Sequence, residues 1–297
     1  MFRGCFVALV TPFRDGHVDF AALGDLVEYI IDGGVHGLVP CGTTGESPTL
    51  DDEEHAAIVA AVAKQTRGRV PVVAGTGTNC TRKTIKLTQS AVKAGADGVM
   101  LVSPYYNKPS QTGLYEHFSA VASRVDVPIM LYNIPGRTGV EISVETIARL
   151  HEAHSNIQAV KHATGNVDGA SRLAAASDIT IMAGDDTLTL PLMSVGAVGV
   201  VSVLGNLMPR ELTTLVDAAL EGDMISARQW HERLFPIAAE LLTLDINPVP
   251  IKTALAMRGM MTGEFRLPMC PMDPSKKMRL ESILSSVKTM PTARQHA

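Results

Sequence analysis

The chain has 297 residues, 46% of them hydrophobic and 19% charged, with a formal charge of −4, so it can bury a large core in one domain or two. No clustered Lys and Arg supply a basic field, so neither nucleic acid nor membrane is an expected partner, and the expected ligand is a small molecule. Four scattered cysteines, Cys5, Cys41, Cys80 and Cys270, with no CxxC pair speak against a zinc ribbon or a disulfide framework and fit reduced thiols in a cytoplasmic protein.

The first apolar run, Cys5–Val10, is too short for the core of an export signal and reads as a strand. Asp19 then precedes Leu23, Leu26, Val27 and Ile30 at helical spacing, and after a second strand at Gly37–Cys41, Asp51 precedes the helical stretch Ala56 to Val62. The alternation continues with strands at Val70–Ala74, Gly98–Val102, Ile129–Tyr132, Gln158–Lys161, Thr180–Ala183 and Val198–Val203. Helical stretches Thr81 to Ala94, Gln111 to Val125, Ser143 to His151 and Asn166 to Ala176 lie between them. Residues 188–208 carry no charge and are about long enough to cross a bilayer. Pro191, Gly196, Gly199, Gly205 and Asn206 divide them, as in a short helix followed by a covered parallel strand.

Strand and helix alternating in this way predict an α/β protein, a (β/α)8 TIM barrel, with a doubly wound open sheet as the alternative. Past the eighth strand Pro209–Leu220, Ile225–Leu244, Pro250–Met260 and Pro274–Val287 all read as helices. The expected division is a catalytic barrel over 1–222 and a C-terminal helical appendage over 223–297, with the polar tail Thr289–Ala297 frayed.

In such a barrel the site lies at the C-terminal ends of the strands. There stand Gly42-Thr43-Thr44-Gly45-Glu46, Ser103-Pro104-Tyr105-Tyr106, Tyr132-Asn133-Ile134-Pro135-Gly136-Arg137, Lys161 and Gly184-Asp185-Asp186. Lys161 ends the apolar run Ile157 to Val160, where burial disfavours the charged form and leaves the amine a nucleophile for imine formation with a keto acid. A strand-terminal lysine reaching for solvent is the alternative. The Gly42–Gly45 turn offers backbone N–H groups and hydroxyls to one carboxylate, or is a tight turn capping a helix. Tyr106 and Tyr132, with Thr43, suit a proton relay, or each is a packing aromatic. The fork of Arg137 suits a second carboxylate, or is solvated. Gly75-Thr76-Gly77 lacks the third glycine of a dinucleotide fingerprint, no phosphate loop occurs, and Asp185-Asp186 lacks companion ligands for a metal. No cofactor or metal is therefore expected.

Together these residues resemble the dihydrodipicolinate synthase family of the N-acetylneuraminate lyase superfamily, over nearly the whole chain. The match runs from Met1-Phe2-Arg3-Gly4 and Val10-Thr11-Pro12-Phe13 through Gly42–Ser47 and Ala74–Gly77 to Phe265-Arg266-Leu267-Pro268. Its narrower signals are Tyr105–Gln111 with Gly113-Leu114-Tyr115, Tyr132–Gly139, and Asn247–Lys252. The resemblance implies Lys161 as imine former with pyruvate, Tyr132 as proton donor and acceptor, and Thr43 with Tyr106 as the rest of a hydroxyl relay. Thr44 and the Val201 backbone would hold the carboxylate of pyruvate, the Gly184 carbonyl would lie near the site, and Arg137 would take the carboxylate of L-aspartate 4-semialdehyde. It also implies a homotetramer of tight dimers, with Tyr105 reaching across the dimer interface.

Two departures stand out. His162 occupies a place usually acidic in the family, and strand alternation turns it away from the interior. The family's inhibitor set for lysine matches Ser47, His55, Asn79 and Tyr105, but its acidic member falls at Lys83, which predicts weak lysine feedback. The competing functional readings are a sister pyruvate aldolase acting on sialic acid or 2-keto-3-deoxy-sugar acids, and a catalytically silent barrel that binds a small acid.

Overall fold

Strands covered on both faces need apolar side chains on both, and every run read that way from the sequence is a strand. The structure, a computed structural model, describes residues 1–288, so the tail expected to fray, Thr289–Ala297, lies outside the described residues. The strands are β1 Gly4–Ala8, β2 Gly37–Val39, β3 Val73–Gly75, β4 Gly98–Val102, β5 Ile129–Asn133, β6 Ile157–His162, β7 Thr180–Ala183 and β8 Gly199–Ser202. They run parallel in the order β2-β1-β8-β7-β6-β5-β4-β3, and a parallel bridge from Leu38 to Val72 joins the two edges. That bridge closes the ring, so the fold is the expected (β/α)8 barrel and not an open sheet.

Period two along each strand sorts the core into two layers. Phe6, Ala8, Val39, Val73, Met100, Met130, Ala159, Met182 and Val201 point inward as one buried cluster. Their neighbours Val7, Leu38, Val99, Leu101, Leu131, Val160, Ile181 and Val200 face the helices in a larger one. Burying each large member contributes about 1.5–3 kcal/mol. Gly37 makes room for the inner layer: a Cβ there would lie 2.1 Å from the Phe6 ring.

Helices α1 Phe20–Asp32, α2 Asp52–Thr66, α3 Thr81–Lys93, α4 Gln111–Ala122, α5 Val144–Ala153, α6 Val167–Ala176, α7 Thr189–Met193 and α8 Pro209–Leu220 follow the strands in turn. Asp19 caps α1 through the Ala22 N–H, and Asp51 with Glu54 forms a reciprocal capping box on α2. The uncharged stretch 188–208 holds α7, β8 and the short 3-10 turn Leu204–Asn206, and among the described residues no helix is long and apolar enough to cross a membrane. One hairpin went unread: Phe13–Arg14 pairs with His17–Val18 across Asp15-Gly16, both at positive φ, which is the turn that Asp-Gly favours.

Past β8 the chain is helical, as expected: α9 Met224–Thr243, α10 Val249–Met257 and α11 Pro274–Lys288. It does not stand apart from the barrel. Segment 245–266 returns to the C-terminal rim of the strands and bonds to loops there, as the hydrogen bonds below show.

Candidate active site

Ala159 points inward from β6, so Lys161, two residues on, does too, and His162 points out. Lys161 is 4% exposed, its strand neighbour on β5 is Tyr132, and its Nζ lies 4.3 Å from the centroid of the Tyr132 ring. The reading of Lys161 as a solvent-seeking strand end is thereby excluded. His162 is buried on the helix side, where its Nε2 lies 2.8 Å from the Asn166 carbonyl and 2.9 Å from Thr164 Oγ1. The carbonyl can only accept, so Nε2 carries the hydrogen.

Two adjoining cavities open above this pair. The outer one, about 270 Å³, is lined by Thr43, Ser47, His55, Lys83, Tyr105 and Arg137 among others. A small inner chamber is lined by Thr43, Met100, Val102 and Tyr132. Thr43 borders both, and Tyr132 lines the chamber with Lys161 Nζ against its ring. Lys161 itself lines neither cavity.

The Gly42–Glu46 turn between β2 and α2 is held from several sides. Cys41 and Glu46 sit at positive φ at its two ends. Thr44 is buried, and its Oγ1 accepts a hydrogen bond from Asn247 Nδ2 at 3.1 Å. Glu46 is buried with Lys252, Nζ to Oε1 at 2.5 Å, and also accepts from the Arg266 N–H at 3.3 Å. Burial holds the Lys252 ammonium below the usual lysine range, opposed by the Glu46 carboxylate, and the Phe13 and Phe265 rings flank it at 4.4 and 4.9 Å. Arg266 forks onto Glu54 at 2.5 and 2.6 Å.

Arg137 lies exposed at the rim on the short turn Pro135–Thr138, with Nη2 donating to the Asn247 carbonyl at 3.1 Å. On the opposite side Val201 is fully buried on the inner face of β8. Gly184 follows β7, where a Cβ would meet that of Ala163 at 2.4 Å, so the close approach of the two segments there requires glycine. Asp185 is held above the usual carboxylate range by burial, opposed by Lys161 and His162 nearby. Asp186, weighed from the sequence as a metal ligand, is spent on the fold: it accepts from the Ser202 hydroxyl and from the N–H groups of Val203 and Leu204 at 3.0 and 2.9 Å. Among the described residues no group of three or more His, Cys, Asp and Glu is placed to hold a metal.

Thr43 and Arg137 thus line the outer cavity and Thr43 and Tyr132 the inner chamber, with Lys161 against the Tyr132 ring, whereas Thr44, Gly184 and Val201 line neither. Nor does Tyr106. It is 89% exposed at φ +75° and lines neither cavity, while Tyr105 is half-buried and lines the outer one. The expectation that Tyr106 stands beside Thr43 and Tyr132, with Tyr105 reaching outward, is reversed within a single chain. After Val102 the backbone leaves the strand for an irregular turn, fixed by Asn107 Nδ2 on the Asn79 carbonyl at 2.8 Å, so alternation no longer says which tyrosine faces in. Asn247, Lys252 and Arg266 were given no role from the sequence. Lys252 carries a signal in retrospect, as the lone charge in the otherwise uncharged helix Val249–Met257.

Comparison with known proteins finds relatives over almost the whole chain. Residues 1–287 match the profile of the dihydrodipicolinate synthetase family. The 4-hydroxy-tetrahydrodipicolinate synthase of Pelobacter propionicus is 51% identical over 96% of this chain and 99% of its own. The crystal structure of dihydrodipicolinate synthase from Aquifex aeolicus superposes with a TM-score of 0.95 at 48% identity, covering 97% of this chain and 98% of that one. The chloride-inhibited dihydrodipicolinate synthase from Acinetobacter baumannii, solved in complex with pyruvate, also has a TM-score of 0.95, at 38% identity over 98% of this chain and 100% of that one.

Proposed function

This chain belongs to the dihydrodipicolinate synthetase family, and we propose from that premise how its own residues carry the reaction. It is a lyase that makes 4-hydroxy-tetrahydrodipicolinate on the diaminopimelate route to lysine. Pyruvate and L-aspartate 4-semialdehyde are its substrates, and one water is released per product. The mechanism needs no cofactor, because the covalent intermediate forms on the protein.

The Lys161 amine attacks the keto carbon of pyruvate and water leaves, giving an imine. Loss of a methyl proton gives an enamine, whose carbon attacks the aldehyde carbon of the semialdehyde. The semialdehyde's amine then attacks the imine carbon, closing the ring and freeing Lys161. Tyr132, whose ring covers the Lys161 ammonium, passes the protons at each step, with Thr43 beside it in the chamber. Thr44 and the Val201 backbone hold the carboxylate of pyruvate, and the Gly184 carbonyl faces the reacting centre. Arg137 at the rim takes the second carboxylate as a fork.

Tyr106 serves a second copy of the chain, completing that copy's relay from outside. Its exposure on a turn fixed to Asn79 supports this contact; a cytoplasmic homotetramer built from tight dimers is read from the family alone. Lys83 lines the same cavity as Ser47, His55 and Tyr105, so a lysine ammonium entering there meets a like charge and feedback by lysine is weak. Tight, saturable inhibition by L-lysine would contradict that point.

The observation that carries the mechanism is the inward-facing, buried Lys161 under the Tyr132 ring. Its direct test is turnover of pyruvate with L-aspartate 4-semialdehyde by the purified protein, beside sialic acid and 2-keto-3-deoxy-sugar acids. Product from the semialdehyde and none from the sugar acids is expected. The reverse pattern would move the chemistry to a sister aldolase.

A further inference from the structure

Asn247 lies half-buried in the connection between α9 and α10, far from every strand in sequence, yet its two polar ends reach both proposed carboxylate positions. Its side-chain Nδ2 donates to Thr44 Oγ1 at 3.1 Å, and its backbone carbonyl accepts from Arg137 Nη2 at 3.1 Å. An amide nitrogen only donates, so Thr44 must meet it with a lone pair. The single hydroxyl hydrogen of Thr44 is then left to point elsewhere. One donor of the Arg137 fork is likewise committed, which fixes the plane of the guanidinium while its other N–H groups stay available.

Asn247 is itself held in place. Two residues before it, Asp245 accepts from the Ile246 N–H and from Lys276 Nζ, both at 2.8 Å. Five residues after it, Lys252 pairs with Glu46, two residues beyond Thr44. The turn at 44–46 and the segment at 247–252 are therefore joined at two points.

We propose that Asn247 is a positioning residue for this reaction: its side-chain amide sets the direction of the Thr44 hydroxyl hydrogen toward the keto-acid carboxylate, while its carbonyl anchors Arg137 for the second carboxylate. The proposal rests on the reading of Thr44 and Arg137 given above. It separates the two substrates, because one link uses the side chain and the other the backbone.

Asn247→Asp tests it. The new carboxylate accepts the Thr44 hydrogen instead of supplying one, so the hydroxyl is turned from the substrate, while the backbone contact to Arg137 persists. The KM for pyruvate should rise about tenfold or more, as for one lost hydrogen bond to a charged group. The KM for the semialdehyde should change less than about twofold, and borohydride with saturating pyruvate should still trap the imine, which shows the barrel intact. In a Thr44→Val background the same substitution should add almost nothing, since the hydroxyl it acts through is gone. Equal rises in both KM values, or full additivity with Thr44→Val, would overturn the proposal. If Thr44→Val alone leaves the pyruvate KM unchanged, the reading of Thr44 fails and this proposal falls with it. If Thr44→Val raises that KM and Asn247→Asp does not, the positioning role alone is wrong. Should Asn247→Asp fold poorly, Asn247→Ala removes the same donor without adding charge, and the same split between the two KM values is expected at smaller size.

Discussion

The inside of the barrel and the C-terminal segment 245–266 build one site by different means. In the barrel, Tyr132 and Lys161 come together because they are register partners on neighbouring strands and both fall on the inward beat of a period-two pattern. The C-terminal segment reaches Thr44, Glu46 and Glu54 from sequence separations of 203, 206 and 212 residues, through individual side-chain bonds with no period. A strand positions a side chain by its backbone ladder, which any apolar neighbour supports. A clamp positions a loop only if each donor and acceptor is present, so its failure is abrupt and costly.

The largest effect should therefore come from the clamp. Lys252→Met leaves the Glu46 carboxylate buried without its counter-charge and should cost about 3–5 kcal/mol of stability in urea unfolding. Replacing Glu46 as well, by Leu, should restore most of that. A loss under about 1 kcal/mol for the single variant would mean that the pair is not the clamp described here.

The shell of the barrel has its own weak point in His117, buried on α4 with Nδ1 against the Thr81 hydroxyl at 2.9 Å. Burial pushes its pKa down to about 4 from the usual 6.5. The unfolded chain thus binds the proton first, so stability is whole above about pH 6.5 and falls as pH drops toward about 4, by up to roughly 3 kcal/mol. Urea midpoints measured across that window should fall less steeply for His117→Gln than for the parent chain.

At the rim, Arg137→Ala should lower kcat/KM for the semialdehyde by about 10- to 100-fold, with pyruvate still trapped as an imine. An equal loss of pyruvate binding would show that the rim and the inner chamber are not separate stations. The smallest effect is expected for His162→Gln, whose side chain faces the helices and keeps a donor for Asn166. Its kcat/KM should stay within about threefold, under 1 kcal/mol of barrier, and a larger loss would mean that the outer face of β6 takes part in the chemistry.

What was legible in the sequence follows the same divide. Alternation along Ile157 to His162 places Lys161 inside and His162 outside, and Asp51 marks the start of α2. The resemblance to a family supplied the roles of Thr43, Thr44, Tyr132 and Arg137; the fold puts Thr43 and Arg137 on the outer cavity, Thr43 and Tyr132 on the inner chamber, and Thr44 in the buried turn beside them. Which of Tyr105 and Tyr106 faces the cavity of its own chain was not legible, because they lie past the end of β4, in a turn where a positive φ at Tyr106 breaks the alternation. Asn247 stood in a motif of the resemblance but received no role, since a polar residue between two helices looks like any solvated connection until its partners are known. Lys252 was readable in principle: a single charge in a buried apolar helix demands a buried counter-charge, but not which one.

The central claim is that the inward-facing amine of Lys161 carries the reaction. Intact-protein mass after borohydride reduction in the presence of pyruvate tests it most directly, with Lys161→Ala alongside. One reduced pyruvate on the parent chain and none on Lys161→Ala is the expected result. No adduct on the parent at saturating pyruvate, or an adduct that survives on Lys161→Ala, would contradict it.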